Sequence, residues 1–330
     1  MKKQTILVTG GCGFIGSHFI NYMHKTYPTC FIINIDKLDY VSDTRFIQQQ
    51  SPDRYCLFIT NLTNQNNVLQ ILNSFDIDIV VHFAAQSHVD NSFGNSIQFT
   101  HDNVLGTHVL LECCRLKHQE RPIEKIIHIS TDEVYGEVDN DHEGCIEKSL
   151  LNPTNPYAAT KAGAEFIVRS YYHSYKLPII ITRGNNVFGT NQYPEKVIPR
   201  FINQLLKNEK LTIQGDGSTR RNFIYVENVC EAVDTIIQKG QINEIYNIGC
   251  NDEFSVLEIA RMLMAYCRDY DESTPLEDHL LYIPDRLFND HRYAIDSSKL
   301  QQLGWKLRIS FEDGLRETVT YWKEKLKKAS

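Results

Sequence analysis

The sequence has no apolar run long enough to cross a bilayer, so no membrane span and no membrane partner are expected. Its first residues, Met1-Lys2-Lys3-Gln4-Thr5, lead straight into a strand-like segment and leave no room for a signal peptide. Positive charge is not in excess. The formal net charge of −7 argues against a general nucleic-acid binder, although a local basic pocket could still hold a phosphate. The nine cysteines contain no Cys-x-x-Cys spacing, their number is odd, and Cys113 and Cys114 are adjacent, a poor arrangement for a bridge. Reduced, mostly buried thiols fit this pattern, and the cytoplasm is the expected compartment. Ordinary burial explains the cysteines better than a catalytic role. No metal site is expected. There is no internal repeat, low-complexity tract or linker.

What is present is an ordinary globular composition over 330 residues, 42% hydrophobic and 23% charged, enough for one large domain or two closely joined ones. Apolar runs at Thr5–Val8, Phe31–Ile35, Tyr55–Ile59, Ile77–Phe83, Ile126–Ser130 and Pro178–Thr182 read as strands. Longer periodic stretches, among them Ile15–His24, Ile97–Cys114 and Ala158–Tyr175, read as helices. Such alternation predicts an α/β fold, a Rossmann-type doubly wound parallel sheet covered on both faces. After about Arg183 the rhythm breaks. Asn185–Tyr193, Gln214–Arg221 and Asp269–Leu280 read as loops, and Phe311–Leu326 as a last amphipathic helix with a basic end. The expected division is a dinucleotide-binding part, 1–185, and a smaller C-terminal α/β substrate-binding part, 186–330, with about 220–250 returning to the first.

The first strand runs into Gly10-Gly11-Cys12-Gly13-Phe14-Ile15-Gly16, and the Gly10-x-x-Gly13-x-x-Gly16 pattern opens a helix. Glycine suits a tight turn and a close approach of backbone to a pyrophosphate, which the helix N-terminus then attracts. Strand before and helix after make this spacing informative. Asp36 ends the second strand, where a carboxylate accepts from the adenosine ribose hydroxyls and repels a 2′-phosphate. NAD is therefore favoured. Lys37 follows at once and leaves NADP open, and Leu38 completes the expected cofactor turn.

Tyr157-Ala158-Ala159-Thr160-Lys161 sets a phenol and an ammonium on one helix face. The ammonium is expected to lower the tyrosine pKa, so that a phenolate can take a proton from a sugar hydroxyl while hydride leaves the same carbon. Ser130-Thr131-Asp132-Glu133-Val134-Tyr135-Gly136 follows the fifth strand, at the sheet edge where α/β proteins bind ligands. Two adjacent carboxylates there are unusual for a plain turn.

The G-x-x-G-x-x-G spacing resembles the extended short-chain dehydrogenase/reductase superfamily. That resemblance places Phe14 and Ile15 against the pyrophosphate and Phe83, Ala84, Ala85 and Ser87 beside the cofactor ribose. It also places Asn61, in the position of a usual Asp, and Leu62 near the adenine. The Ser130–Gly136 string resembles the dTDP-glucose 4,6-dehydratases. So do His82–Asp90, Asn155-Pro156-Tyr157, Tyr193–Pro199, Arg221-Asn222-Phe223 and Tyr246–Gly249, and the likeness covers essentially the whole chain. It implies removal of water from an NDP-hexose such as dTDP-glucose or UDP-glucose, as in deoxysugar and rhamnose biosynthesis. It also implies a homodimer joined through the helices at Ile97–Cys114 and Ala158–Tyr175, with Val168 and Tyr172 facing outward. In the roles it implies, Tyr157 and Lys161 serve oxidation at C4, and Thr131 bonds the C4 oxygen. Glu133 takes the C5 proton, and Asp132 protonates the leaving C6 hydroxyl. Ser87, Asn186, Lys196, Val197, Arg221, Asn247 and Arg286 are the implied substrate contacts. Two departures stand near the nucleotide end. The family's Cys-Ser-Asn-Asn-Tyr-Gly is here Gly184–Gly189, and its Arg-Pro-Gly-His-Asp is Arg286–Asp290. They leave the choice of thymidine or uridine open. A 4-epimerase or a decarboxylase would keep Tyr157 and Lys161 without needing the Asp–Glu pair. A non-catalytic NAD-binding regulator would typically have lost the Tyr or the Lys.

Overall fold

Residues 4–139, 143–268, 270 and 275–327 are described by a computed structural model. In chain order the first elements are β1 (Thr5–Thr9), α1 (Phe14–Thr26), β2 (Phe31–Asp36), β3 (Tyr55–Ile59), α2 (Gln65–Ser74) and β4 (Ile79–His82). Next come α3 (Val89–Gly94), α4 (Ser96–Phe99), α5 (Gly106–Glu120), β5 (Lys125–Thr131), α6 (Pro156–Tyr175), β6 (Ile179–Gly184) and β7 (Asn186–Phe188). The rest are α7 (Val197–Leu206), β8 (Leu211–Gln214), β9 (Arg220–Tyr225), α8 (Val226–Lys239), β10 (Ile245–Ile248), β11 (Glu253–Ser255), α9 (Val256–Arg268), β12 (Leu280–Ile283), α10 (Ser298–Gln302) and α11 (Phe311–Lys327).

Seven strands form one parallel sheet in the order β10-β6-β5-β4-β1-β2-β3. Both faces are buried, which is why its strands are near-continuous apolar runs. In β1, Ile6 and Val8 enter one core and Leu7 the other. The strand order reverses between β1 and β4, so their carboxyl ends open a crevice where such folds bind ligands. The doubly wound α/β expectation is met. β10 lies beside β6, and α8 packs on α1. Beyond the sheet, β11-β9-β7 and β12-β8 form two small sheets.

Four local expectations change. Residues 186–188 form β7, paired in parallel with β9, rather than loop; a three-residue strand has no period to read. Gln214 closes β8 and Arg220 opens β9, leaving only 215–219 as loop between them. Of Asp269–Leu280, Asp269 and residues 271–274 lie outside the described residues, Glu277–His279 is a 3-10 turn, and Leu280 begins β12. The helix expected at Ile97–Cys114 is α4, a π-type stretch at Thr100–Leu105, and α5. Such stretches often mark functional places. Here Asn103, inside it, accepts from Gln86 N at 2.7 Å and donates to Thr160 Oγ1 at 3.0 Å.

α6 begins on Asn155, whose Oδ1 accepts from Ala158 N at 2.9 Å, with Pro156 at the first helical position. Val168 on this helix is fully buried against α5 and the sheet, so it cannot face outward as expected. The exposed apolar residues of these helices are Ile97, Leu105, Phe166 and Tyr175. Among the described residues, no helix is long and apolar enough to cross a membrane. All nine cysteines are free thiols, eight of them buried.

Candidate active site

One cleft runs along the carboxyl ends of β1, β2, β4, β5 and β6. Gly10, Gly13, Phe14, Ile15, Gly16, Asp36, Lys37, Asn61, Leu62, Phe83, Ala84, Ala85 and Ser87 line one stretch of it. Gly10 has φ +71, and a Cβ there would lie 2.7 Å from the Ala84 backbone. A Cβ on Gly16 would lie 2.3 Å from Gly10 O. Only glycine allows this close packing of turn, helix and strand. α1 then starts with Gly13 as its N-cap and no side-chain cap, which leaves its first N–H groups to an anion. The cradle fits a dinucleotide pyrophosphate.

Asp36 Oδ2 accepts from Cys12 N at 2.9 Å, and Oδ1 accepts from Leu38 N at 2.8 Å and Ser42 Oγ at 3.1 Å. These donors fix the carboxylate on the cleft wall. Lys37 is held by Asp39 at 2.8 Å and Asp102 at 2.7 Å. Burial works against its charge, but the two carboxylates prevail and raise its pKa. With two carboxylates on this ammonium and the Asp36 carboxylate on the same cleft wall, the corner disfavours a 2′-phosphate. Leu38 is not among the residues lining the cleft; it turns the chain at φ +55, and its role is the N–H it gives to Asp36.

Thr131, Glu133, Tyr157 and Lys161 line the next stretch. Lys161 sends its ammonium to the Ile129 carbonyl at 2.7 Å, and burial, opposed by Glu165, lowers its pKa to about 8. The tyrosine does not follow the expected direction. Burial, then the charges of Glu133 and Asp132, push the Tyr157 pKa up, while a hydrogen bond with Thr131 pulls it down. Desolvation and the two carboxylates set the direction.

Asp132 and Glu133 occupy a 3-10 turn directly after β5, and both are buried; Glu133 lines the cleft, whereas Asp132 is off the lining, beside Thr131. Asp132 Oδ2 accepts from Asn185 Nδ2 at 2.8 Å, and Glu133 Oε2 accepts from Asn155 Nδ2 at 3.1 Å. Burial raises Asp132 to about 7 against the pull of Asn185, with Glu133 adding to the rise. Burial also raises Glu133, against Asn155 and the charges of Arg221 and Lys196. A carboxyl that keeps its proton near neutrality suits an acid, and burial that raises the pKa of Glu133 makes it the stronger base once ionised.

A family model described as GDP-mannose 4,6 dehydratase matches residues 7–318. The chain belongs to this family. A trifunctional UDP-glucose 4,6-dehydratase/UDP-4-keto-6-deoxy-D-glucose 3,5-epimerase/UDP-4-keto-L-rhamnose-reductase of Arabidopsis thaliana is 45% identical over 97% of this chain and 47% of its own. This chain thus spans about half the length of such plant relatives. A dTDP-D-glucose 4,6-dehydratase of Bos taurus is 44% identical over 97% of this chain and 89% of its own. A solved dTDP-glucose 4,6-dehydratase of Streptomyces venezuelae, with NAD bound, superposes with a TM-score of 0.90 at 34% identity, covering 97% of each chain.

In this member of the dehydratase family the implied substrate contacts divide. Ser87, Asn186, Lys196 and Val197 line the cleft, and Lys196 Nζ donates to Ser87 O at 2.9 Å. Asn247 does not belong with them. It is fully buried, donates to Cys145 O and Asp296 O at 2.9 Å each, and accepts from Tyr135 OH at 2.8 Å. Its capacity is spent inside the protein. Arg221 stands off the lining, donating to Asp290 O at 2.7 Å and His291 O at 3.1 Å and stacking on Tyr293. Its charge still reaches Asp132 and Glu133. Arg286 is also off the lining, 3.3 Å from Asp90 and 3.2 Å from Gln214 Oε1. The sequence reading missed Asn155, Asn185 and Asn103 as site-building residues. Only Asn155 carried a signal, the cap-like Asn-Pro before a helix.

Proposed function

We propose that the chain is an NAD-dependent NDP-glucose 4,6-dehydratase, a hydro-lyase that converts dTDP-glucose or UDP-glucose to the 4-keto-6-deoxy sugar. The observation that carries this reading is the buried pair Asp132 and Glu133, each held by its own amide donor beside Tyr157. A 4-epimerase has no use for a second acid–base pair at C5 and C6. The glycine cradle and Asp36 hold the NAD, with Lys37, Asn61 and Leu62 around its adenosine half and Phe83, Ala84 and Ala85 along its ribose. When bound, NAD supplies a hydride acceptor for C4 and a donor for C6.

The protein's residues move the protons. Tyr157 takes the C4 hydroxyl proton, with Thr131 bonding the same oxygen and Lys161 beside it. The resulting ketone acidifies C5–H. Glu133 removes that proton while Asp132 gives one to the C6 hydroxyl, which leaves as water; as C6 is reduced, the proton held by Glu133 returns to C5. Ser87 and Asn186 contact the sugar and diphosphate, and Lys196 and Val197 the nucleotide end. The 1–185 part carries the cofactor and 186–330 most of the nucleotide-sugar contacts, with about 220–250 returning to the sheet.

The free, buried cysteines favour the cytoplasm as compartment. The exposed Ile97, Leu105, Phe166 and Tyr175 favour a homodimer through α6 and the helical stretch at 96–120. Incubation with dTDP-glucose and with UDP-glucose, followed by the alkaline absorbance of the 4-keto product, tests the activity and the nucleotide together. Product from neither sugar rejects the reading.

A further inference from the structure

Asn185 stands between β6 and β7, where the resembling family carries the serine of its Cys-Ser-Asn-Asn-Tyr-Gly run. It is only 4% exposed. Its main-chain N–H donates to Ile248 O at 3.1 Å, and its side-chain Oδ1 accepts from Cys250 N at 3.0 Å. A backbone N–H can only donate, so the carbonyl end of this amide has to face Cys250. The NH2 end then has to face Asp132, whose Oδ2 it meets at 2.8 Å. An NH2 only donates in turn, so Oδ2 is committed as an acceptor. The other oxygen, Oδ1, accepts from the hydroxyl of Thr131, a residue of the cleft wall, at 3.3 Å; a hydroxyl can turn and accept instead, so Oδ1 is not committed as Oδ2 is.

We propose that Asn185 is a positioning residue for the dehydration, fixing Asp132 so that its transferable proton sits on Oδ1, the oxygen on the Thr131 side. This rests on the reading of Asp132 as the acid of the elimination. The proton on Oδ1 passes to the C6 hydroxyl, the C6–O bond breaks, and its electron pair leaves with water. The C5 proton goes to Glu133, and its electron pair forms the C5–C6 double bond. Asp132 is faced by Glu133 on its own turn, Arg221 from β9, Tyr157 from α6, and the Cys145 and Cys250 thiols from flanking segments. Thr131 meets Oδ1, but its hydroxyl can donate or accept; the Asn185 NH2 can only donate, so its hydrogen bond is the one that selects between the two oxygens. It also favours the ionised form, so its loss raises the Asp132 pKa.

The test is single-turnover kinetics across about pH 6–9, following reduction of bound NAD and loss of water separately. Asn185→Leu is expected to slow water loss about tenfold or more and to move its alkaline limb to higher pH, while NAD reduction stays within about twofold of native. Asn185→Ser, the residue of the resembling family, is the variant least disturbing to the fold; it should move the limb the same way with a smaller loss. If both variants keep the native limb, or slow both steps equally, Asn185 is merely structural and the inference fails. Asp132→Asn, run in parallel, separates the two ideas. If Asp132→Asn stalls water loss and the Asn185 variants behave as native, only the positioning role is lost. If Asp132→Asn eliminates at the native rate, the acid assignment falls and the positioning role with it.

Discussion

Asp132 and Glu133 are neighbours in the chain, yet different amides hold them, one from the end of β6 and one from the start of α6. Neither is needed for the first hydride to leave C4, whereas Tyr157 is. Asp132→Asn and Glu133→Gln should each lose overall dehydration by about 100-fold or more while still reducing bound NAD on addition of substrate. Tyr157→Phe should lose both signals. Rapid mixing, with the absorbance of the reduced cofactor as one trace and the 4-keto product as the other, reads both. A native rate of elimination in Glu133→Gln would return the site to an epimerase-like mechanism. The pH dependence follows from the same environment. Asp132 has to carry a proton to act, and its raised pKa, about 7, keeps that proton at neutrality. Lys161, lowered to about 8, has to keep its charge. The rate of water loss should therefore fall as pH rises through these two values, not as it falls through them.

At the scale of elements, α6 brings the catalytic face to the sheet, and a buried ion pair ties it there. Arg183 of β6 meets Glu165 of α6 at 2.7 Å, both side chains almost completely buried, and stacks 4.7 Å from the Tyr135 ring centroid. Tyr135 lies on the turn that carries Asp132 and Glu133. Removing one partner strands the other charge away from water. Glu165→Gln should destabilise the fold by about 3–5 kcal/mol, measured as a shift in the urea midpoint. A loss under about 1 kcal/mol would mean that water reaches the pair. The turn from β1 into α1 is equally constrained. Gly16→Ala would force a Cβ to 2.3 Å from Gly10 O, so the loop has to open and protein-bound NAD should fall in the purified variant.

For the whole molecule, the proposed chemistry returns the hydride within each turnover, so the cofactor need not leave. Heat-denatured protein should release NAD, not NADP, into the supernatant; stoichiometric NADP would overturn the reading of Asp36 and of the Lys37 cluster. The proposed dimer is tested on the residues that stand outside the protomer. Phe166 is 59% exposed and Ile97 83%. Phe166→Glu and Ile97→Glu should give monomers by sedimentation at micromolar concentration, with unchanged circular dichroism. A native protein that is already monomeric there would reject the dimer.

The parallel sheet was legible from sequence because both of its faces are covered, so each strand is a short apolar run bounded by polar turns. The glycine loop, Asp36, Tyr157 and Lys161, and Glu133 with its neighbour Asp132 were legible as site candidates because each keeps a fixed offset from such a strand or helix start. Offsets along one chain carry no information about partners far away in it. Asn185 meets Asp132 across 53 positions and Asn155 meets Glu133 across 22. Nothing local marks Asn185, and the Asn-Pro cap marks Asn155 only as a helix start, not as a partner of Glu133. Asn247 shows the converse: it belongs to a motif, but its hydrogen bonds are spent on Cys145, Asp296 and Tyr135, partners chosen by packing. Val168 was expected outward only from the family resemblance, yet it falls on the buried face of α6 with Ala164 and Tyr171. The tyrosine pKa also turned on tertiary structure, because desolvation and the carboxylates of Glu133 and Asp132, more than twenty positions away in the chain, push it up. Sequence alone determined which chemistry-bearing residues lie at the strand ends, through local periodicity and turn geometry. Only the folded molecule decided which of them are solvated, charged or already bonded, because those properties depend on neighbours that the chain brings together from far apart.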